Sequence, residues 1–446
     1  ADSAPAPQIA DTGLIRAIGV RALSANVVNN VVGSGIFVVP GVIAATLGPS
    51  AILAYVICTI AIGLIGITFA EAGSRVSAPG GLYAYIETAF GPFVGFNSGV
   101  IFWVAQFSAS AAIATVLAAS LAAVVPALGG AVPRAVILAL LFGGLAVVNI
   151  RGVRGGMRIV EALTTAKLLP LILLVLAGAF FVHPVNLKWA SVPTLSQLGR
   201  ASLVLIFAYT GVEGALTSSG EVVNPSRTVP RAILTGLAGV SALYIAIQLV
   251  AQGVLGPDLS LNQSTPLIEV AGRAFGPGGR ILLGIGAAVS ALGYVAGDIL
   301  TTPRLLFAFG RDGFLPSRLG TVDPRHHTPA NAIIVYSVLT FTLAVTGSFT
   351  ELVVVSTVSI LLVYLATCLS AIQLRRRDVR ADGPPFSVPG GHTIPVISCI
   401  VVTWMLSSAS RREFLSVGAV IMIASILYVI RPKRATLAVA PGLDQM

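Results

Sequence analysis

Lys167, Glu213 and Asp298 are ionisable side chains standing inside long apolar stretches, where a charge must be neutralised, paired or held against backbone dipoles. Lys167 lies ten residues after Met157, so it sits ~15 Å along a helix that needs about 30 Å to cross hydrocarbon. A lysine near a helix end can snorkel to the interface, but one at this depth cannot. It is either a proton carrier or a fixed cation held against free carbonyls. Glu213 puts a carboxylate near mid-span between Gly211 and Gly214. Asp298, if it faces a cavity, favours a ligand with a second positive charge or pairs with Lys167; nearer the inner end of its helix it pairs with an arginine such as Arg304. Glu71, Glu87, Glu221 and Asp312 sit at inner helix ends among arginines and read as gates or topology-fixing pairs.

Two polar, glycine-containing stretches interrupt runs that should be unbroken helix. One is Asn26 to Gly41, with Asn29, Asn30, Gly33, Ser34 and Gly35 at its middle; the other is Phe207 to Ala215, with Thr210, Gly211, Glu213 and Gly214. Each free backbone group in hydrocarbon costs several kcal/mol, so such breaks persist only where they line a cavity or are buried in protein. Free N–H groups at the start of a half-helix suit an anion, and free carbonyls at the opposing end suit a cation. One zwitterion fills both. A simpler reading of Gly33-Ser34-Gly35 is close packing of two helices, but the second break lies five spans after the first. That is the separation of corresponding members in two oppositely inserted five-helix halves.

The elements that position these residues are set by composition. Of 446 residues, 56% are hydrophobic and 10% charged, which requires lipid as the solvent for most of the surface. Apolar stretches long enough to span run over residues 18–47, 49–73, 93–125, 132–150, 157–182, 197–220, 231–255, 279–308, 330–347, 352–374, 393–409 and 412–430. The fold class is therefore all-α integral membrane with about 12 transmembrane helices. A net charge of +10 would suit nucleic acid in a soluble domain, but 19 of the 27 Lys and Arg residues fall on segments of one side once the N-terminus is placed in the cytoplasm. That satisfies the positive-inside rule, puts both termini in the cytoplasm and leaves no need for nucleic acid. Cys58, Cys368 and Cys399 lie in spans without metal-ligand spacing, and His183, His326, His327 and His392 lie in loops without ligand company, so no metal and no cofactor is expected. The tail from Ala1 to Asp11 has no apolar signal core, and both ends read as disordered.

Four blocks, in order along the first ten spans, give the chain a known look: Gly33-Ser34-Gly35-Ile36-Phe37 with Pro40-Gly41; Ala70-Glu71 with Pro79-Gly80-Gly81-Leu82-Tyr83-Ala84-Tyr85 and Phe90-Gly91-Pro92; Phe207 to Glu213 with Gly220-Glu221-Val222-Val223-Asn224-Pro225; and Thr302-Pro303-Arg304 through Gly313-Phe314-Leu315-Pro316. The chain resembles the amino acid-polyamine-organocation (APC) transporter superfamily, in its bacterial amino-acid permease branch. The resemblance implies a five-plus-five inverted repeat (LeuT-like) with interrupted first and sixth helices and two further C-terminal helices. The segments would be a tail at 1–15, repeats at 16–182 and 183–380, added helices within 381–430, and a tail at 431–446. It further implies alternating access in a plasma membrane, the inner membrane of a bacterium.

Carried over by position, the amides of Ser34 and Gly35 would meet a substrate carboxylate, Gly33 would supply flexibility, and the carbonyls of Val31, Phe207 and Thr210 would meet the ammonium group. Phe207 would close over the substrate. Ser110 and Ser356 fall at pocket-lining positions, although a helical hydroxyl more often bonds its own backbone. Lys167, followed by Leu168-Leu169-Pro170-Leu171, resembles the lysine that replaces a bound sodium ion in sodium-independent members; Glu213 matches a carboxylate that links the break to neighbouring spans. Asp298 departs from the family, where its position is often apolar or aromatic. The expected activity is sodium-independent amino-acid transport, by proton symport or by exchange against a counter-substrate. A polyamine or organic-cation carrier is the first rival and a transporter-like nutrient sensor the second. No P-loop is present, so the driving force must come from gradients. Neither a continuous polar pore nor a convergent set of catalytic groups argues for a channel or an enzyme.

Overall fold

A computed structural model describes residues 8–9, 15–16, 19–76, 82–151, 167–189, 191–213, 222–223, 225–311, 313–380, 385–388 and 390–430. The elements are α1 (Val20–Val31), α2 (Val39–Leu47), α3 (Ile52–Arg75), α4 (Leu82–Phe90), α5 (Pro92–Val124), α6 (Ala131–Arg151), α7 (Leu168–Gly178), α8 (Leu195–Leu205), α9 (Pro225–Leu255), α10 (Pro266–Thr301), α11 (Pro303–Arg311), α12 (Ala330–Thr346), α13 (Phe349–Arg376), α14 (Thr393–Ser407) and α15 (Arg411–Ile430). Among the described residues seven helical runs are long and apolar enough to cross a membrane, and four shorter apolar helices accompany them. The chain is a multi-pass membrane protein. Of the expected span 157–182, residues 157–166 lie outside the described residues, and α7 occupies the remainder. In the N-terminal tail, expected to lack regular structure, β1 (Gln8–Ile9) pairs antiparallel with β2 (Ile15–Arg16); a ladder this short has no apolar face to pack.

Local chemistry sets several helix ends. Gly91 takes φ +86° and Pro92 opens α5, a position where a missing N–H costs nothing. Thr194 with Gln197 caps α8, and Ser348 with Glu351 caps α13, each pair satisfying two amides reciprocally. Gly276, at φ +69°, bends the start of α10. Burial separates the inner helices from the outer ones. Within their most apolar windows α13 is 72% buried and α5 67%, whereas α15 is 11% buried. Leu140 on α6, Leu176 on α7 and Val429 on α15 face outward, as lipid-facing side chains should.

The polar ends are pinned by charge. Fully buried Glu71 accepts from Arg75 at 3.3 Å, lies 3.4 Å from Arg375, and accepts the Val388 amide at 3.2 Å. This joins α3, α13 and the segment leading to α14. Glu71 thus pairs with arginines, as expected for an acid at a helix end. At the opposite end Arg200 and Glu413 form a two-pronged pair at 2.9 Å, and Arg280 pairs with Glu269 at 2.6 Å. Cys368 and Cys399 are neighbours but remain thiols.

Candidate functional site

The first break begins where α1 stops. The N–H of Gly33 turns back onto the carbonyl of Val31 at 2.8 Å; in a continuing α-helix it would have gone to Asn29. Lys167, immediately before α7, supplies the missing donor, its Nζ lying 2.5 Å from the Asn29 carbonyl oxygen. After extended Gly33 the chain enters a 3-10 turn, Ser34–Phe37, and then α2. The amides of Ser34 and Gly35 open that turn, so they have no acceptor inside it. Ser34 is fully buried, and its hydroxyl has no partner among the described residues.

The second break follows α8. A 3-10 turn, Ile206–Tyr209, gives way to extended Thr210 and then to Gly211 at φ +110°. A Cβ at Gly211 would stand 2.5 Å from the carbonyl oxygen of Asn30, so glycine is required both by the dihedral and by the closeness of the two breaks. The Phe207 ring covers Gly35, 3.1 Å from where a Cβ would project. Glu213 accepts the Gly211 amide at 3.0 Å and the Tyr364 hydroxyl at 2.6 Å, which ties the break to α13. Residues 214–221, including Glu221, lie outside the described residues, as does Asp312.

Tyr244 of α9 joins the two breaks. Its hydroxyl lies 3.1 Å from the Val31 carbonyl oxygen and 3.0 Å from that of Ala208. Sequence reasoning missed it, although a phenol in an apolar span always raises the question of where its O–H goes. Two of the three carbonyls expected to meet an ammonium group thus already have donors: Val31 from the Gly33 amide and Tyr244, and Phe207 from the Thr210 amide at 3.3 Å and hydroxyl at 2.8 Å. A carbonyl has two lone pairs, and at Val31 both are taken, by the Gly33 amide and the Tyr244 hydroxyl.

Neither pairing considered for Asp298 occurs. Its oxygens accept from Thr302, one turn along α10 at 2.5 Å, and from Tyr336 of α12; among the described residues it makes no ion pair, with Lys167 and Arg304 included. Lys167 is committed to the Asn29 carbonyl at the end of α1, and Arg304 belongs to α11, which begins past the end of α10. Ser110 of α5 lies beside Asp298 and Tyr336, buried and without another partner. Ser356 donates to the Ala105 carbonyl at 2.8 Å, joining α13 to α5 rather than bonding its own helix. Tyr294, one turn before Asp298, brings its ring to 4.0 Å from a Cβ position at Gly33 and so connects the acid to the first break.

The family model described as amino acid permease matches residues 18–431, nearly the whole of this architecture. The chain belongs to the amino acid permease family. It is similar to the serine/threonine exchanger SteT of Bacillus subtilis, with 30% identity over 93% of this chain and 95% of that one. The methylthioribose transporter of the same organism is 27% identical over 91% of each chain, and the branched-chain amino acid permease BcaP of Lactococcus lactis is 26% identical over 86% and 88%. In this permease, then, the two breaks, Lys167, Tyr244 and Glu213 form one connected centre, with Asp298 and Ser110 beside it. Ser356 is engaged elsewhere.

Proposed function

We propose that this permease is a secondary active transporter of amino acids that works by alternating access, as a proton symporter or an exchanger, without sodium. The observation that carries the reading is the pair of open amides at Ser34 and Gly35, buried beside an unpartnered hydroxyl and facing the second break under the Phe207 ring. Amides at the start of a helical turn suit a carboxylate. The relatives named for serine/threonine exchange and branched-chain amino acids support the same substrate class. In this reading the twelve spans form two inverted five-helix repeats with two added helices, both termini are cytoplasmic, and Lys167 stands where a cation would hold the first break. An organic cation without a carboxylate fits less well, because it leaves the Ser34 and Gly35 amides unanswered and finds both oxygens of Asp298 already engaged.

The test is uptake of labelled L-serine, L-threonine, L-leucine and putrescine into proteoliposomes, with and without an inward proton gradient. Saturable amino-acid uptake that is abolished by Ser34→Pro supports the site, since proline removes one amide and stiffens the turn. Putrescine uptake alone, or unaltered affinity in a folded Ser34→Pro protein, overturns it.

A further inference from the structure

Asp298 is a buried carboxyl surrounded by hydroxyls and by no cation. Thr302 and Tyr336 donate to its two oxygens, and Ser110 stands beside it with a buried hydroxyl that has no hydrogen-bond partner among the described residues. Among the described residues Asp298 makes no ion pair; the nearest cation along the chain is Arg304 of α11, which begins past the end of α10 and leaves a buried guanidinium nitrogen without a hydrogen-bond partner there. No ionisable side chain occurs in α5 or in the Ser34–Phe37 turn, and Tyr336 is the sole titratable group of α12. On α6, Arg134 is held by the carbonyls of Ala344 and Gly347, and Arg151 closes the helix beside the start of α12, where the Thr328 hydroxyl donates to the Ile150 carbonyl. Toward the breaks lie Tyr294 and, beyond it, Glu213, itself an acid. The remaining nearby groups, Tyr244 on α9 and Lys167 at α7, are committed to break carbonyls.

Hydroxyls both donate and accept, so this cluster can satisfy the carboxyl in either protonation state. As a carboxylate, Asp298 accepts from Tyr336 and Thr302; as an acid, it has Ser110 as an acceptor. No backbone bond need be broken between the two. Lys167 differs, since its ammonium group supplies the donor that the Asn29 carbonyl has lost. We infer that Asp298, rather than Lys167, takes up and releases the proton that accompanies each amino acid, a reading that rests on the transport function proposed above. The proton is taken from water on the side where the amino acid enters and passes to water on the other side. Tyr294, one turn away against Gly33, couples its state to the first break.

The experiment uses the full chain in liposomes with an entrapped pH indicator and L-serine, L-threonine or L-leucine as the probe, measuring proton entry and counterflow exchange on one preparation. The wild-type protein admits protons with the amino acid. Asp298→Asn exchanges amino acid with proton entry reduced to that of protein-free liposomes, and Asp298→Glu restores proton entry. Proton entry per amino acid in Asp298→Asn equal to that of the wild type overturns the inference. So does wild-type exchange without any proton entry, an outcome that leaves amino-acid transport standing. Failure of the wild type to move any of the three amino acids removes the transport reading and this inference with it. Should Asp298→Asn not fold, Tyr336→Phe decides, because loss of that donor displaces the pH midpoint of uptake by about one unit, the worth of one hydrogen bond to a charged group; an unmoved midpoint overturns the inference.

Discussion

Replacing Lys167 with methionine tests how the broken first helix is held. Methionine keeps an unbranched stem of similar bulk and removes only the donor. The Asn29 carbonyl then has neither the Gly33 N–H, which is turned onto Val31 at 2.8 Å, nor the ammonium group now 2.5 Å away. A hydrogen bond from a charged donor is worth ~1.5–3 kcal/mol, part of which is the cost of leaving its acceptor unsatisfied. At about 1.4 kcal/mol per decade this shifts the balance between α1 held by Lys167 and α1 released by roughly 10- to 100-fold. A carrier that must reseat α1 in every cycle loses uptake in proportion. The assay pairs initial uptake rates in proteoliposomes with maleimide labelling of a thiol introduced by Ser24→Cys, since Ser24 lies on α1 and is only partly covered. Slower uptake with faster labelling is the expected result, and Lys167→Arg should retain part of the wild-type rate. A folded Lys167→Met protein with wild-type uptake and labelling would refute the argument.

Three further outcomes follow from particular contacts. Gly211→Ala forces an L side chain into φ +110° with its Cβ 2.5 Å from the Asn30 oxygen, so the dihedral alone costs about 1–3 kcal/mol; the melting temperature in detergent should fall, and an unchanged value would contradict the placement of the breaks. Tyr244→Phe removes one hydroxyl shared by two buried carbonyls, a loss of about 1–2 kcal/mol, to be read as reduced thermal stability together with slower exchange; wild-type values for both would assign the tyrosine no bridging role. The loop before α12 should loosen in acid. The carboxyl of Asp323 is held below its ordinary range by the backbone N–H groups of His326 and Arg325 and by the His326 ring. A group whose folded value is depressed contributes stability above its unfolded value, about 3.9, and loses it as the pH falls through the lower folded one. Amide exchange at Arg325 and His326 should therefore accelerate over that acid window once corrected for intrinsic rates, and Asp323→Asn should remove the acid step.

Both breaks were legible in the sequence because glycine and amide-bearing side chains in the middle of a span have no use in an unbroken helix. Lys167 was legible as a lysine inside an apolar stretch that needs a carbonyl or a counter-charge. Its partner was not: the Asn29 carbonyl becomes available only because Gly33 turns back, and it is reached only because the tertiary fold brings Lys167 to the end of α1. Tyr244 was invisible for the same reason, as its two acceptors lie on separate segments. For Asp298, the bond from Thr302 follows helical spacing and could have been read; the bond from Tyr336 comes from another helix, and charge pairing was the wrong chemistry to look for. Ser356 shows the limit of a positional analogy, because a hydroxyl at a pocket position is satisfied here by the backbone of α5.

The donors and acceptors of the two breaks are not balanced, and the imbalance bears on what the proposed site selects. On the carbonyl side the protein has supplied donors of its own, Lys167 to Asn29, Tyr244 to Val31 and Ala208, and Thr210 to Phe207. On the amide side, Ser34 and Gly35 open their turn without intra-turn acceptors, and the Ser34 hydroxyl is unpartnered. At Val31 and Phe207 an arriving ammonium group meets acceptors that already have donors. An arriving carboxylate answers groups that have nothing else, and an unanswered buried donor costs about 1–3 kcal/mol. Recognition in such a site is governed by the carboxylate, so blocking that group as an amide should weaken binding more than methylating the amine.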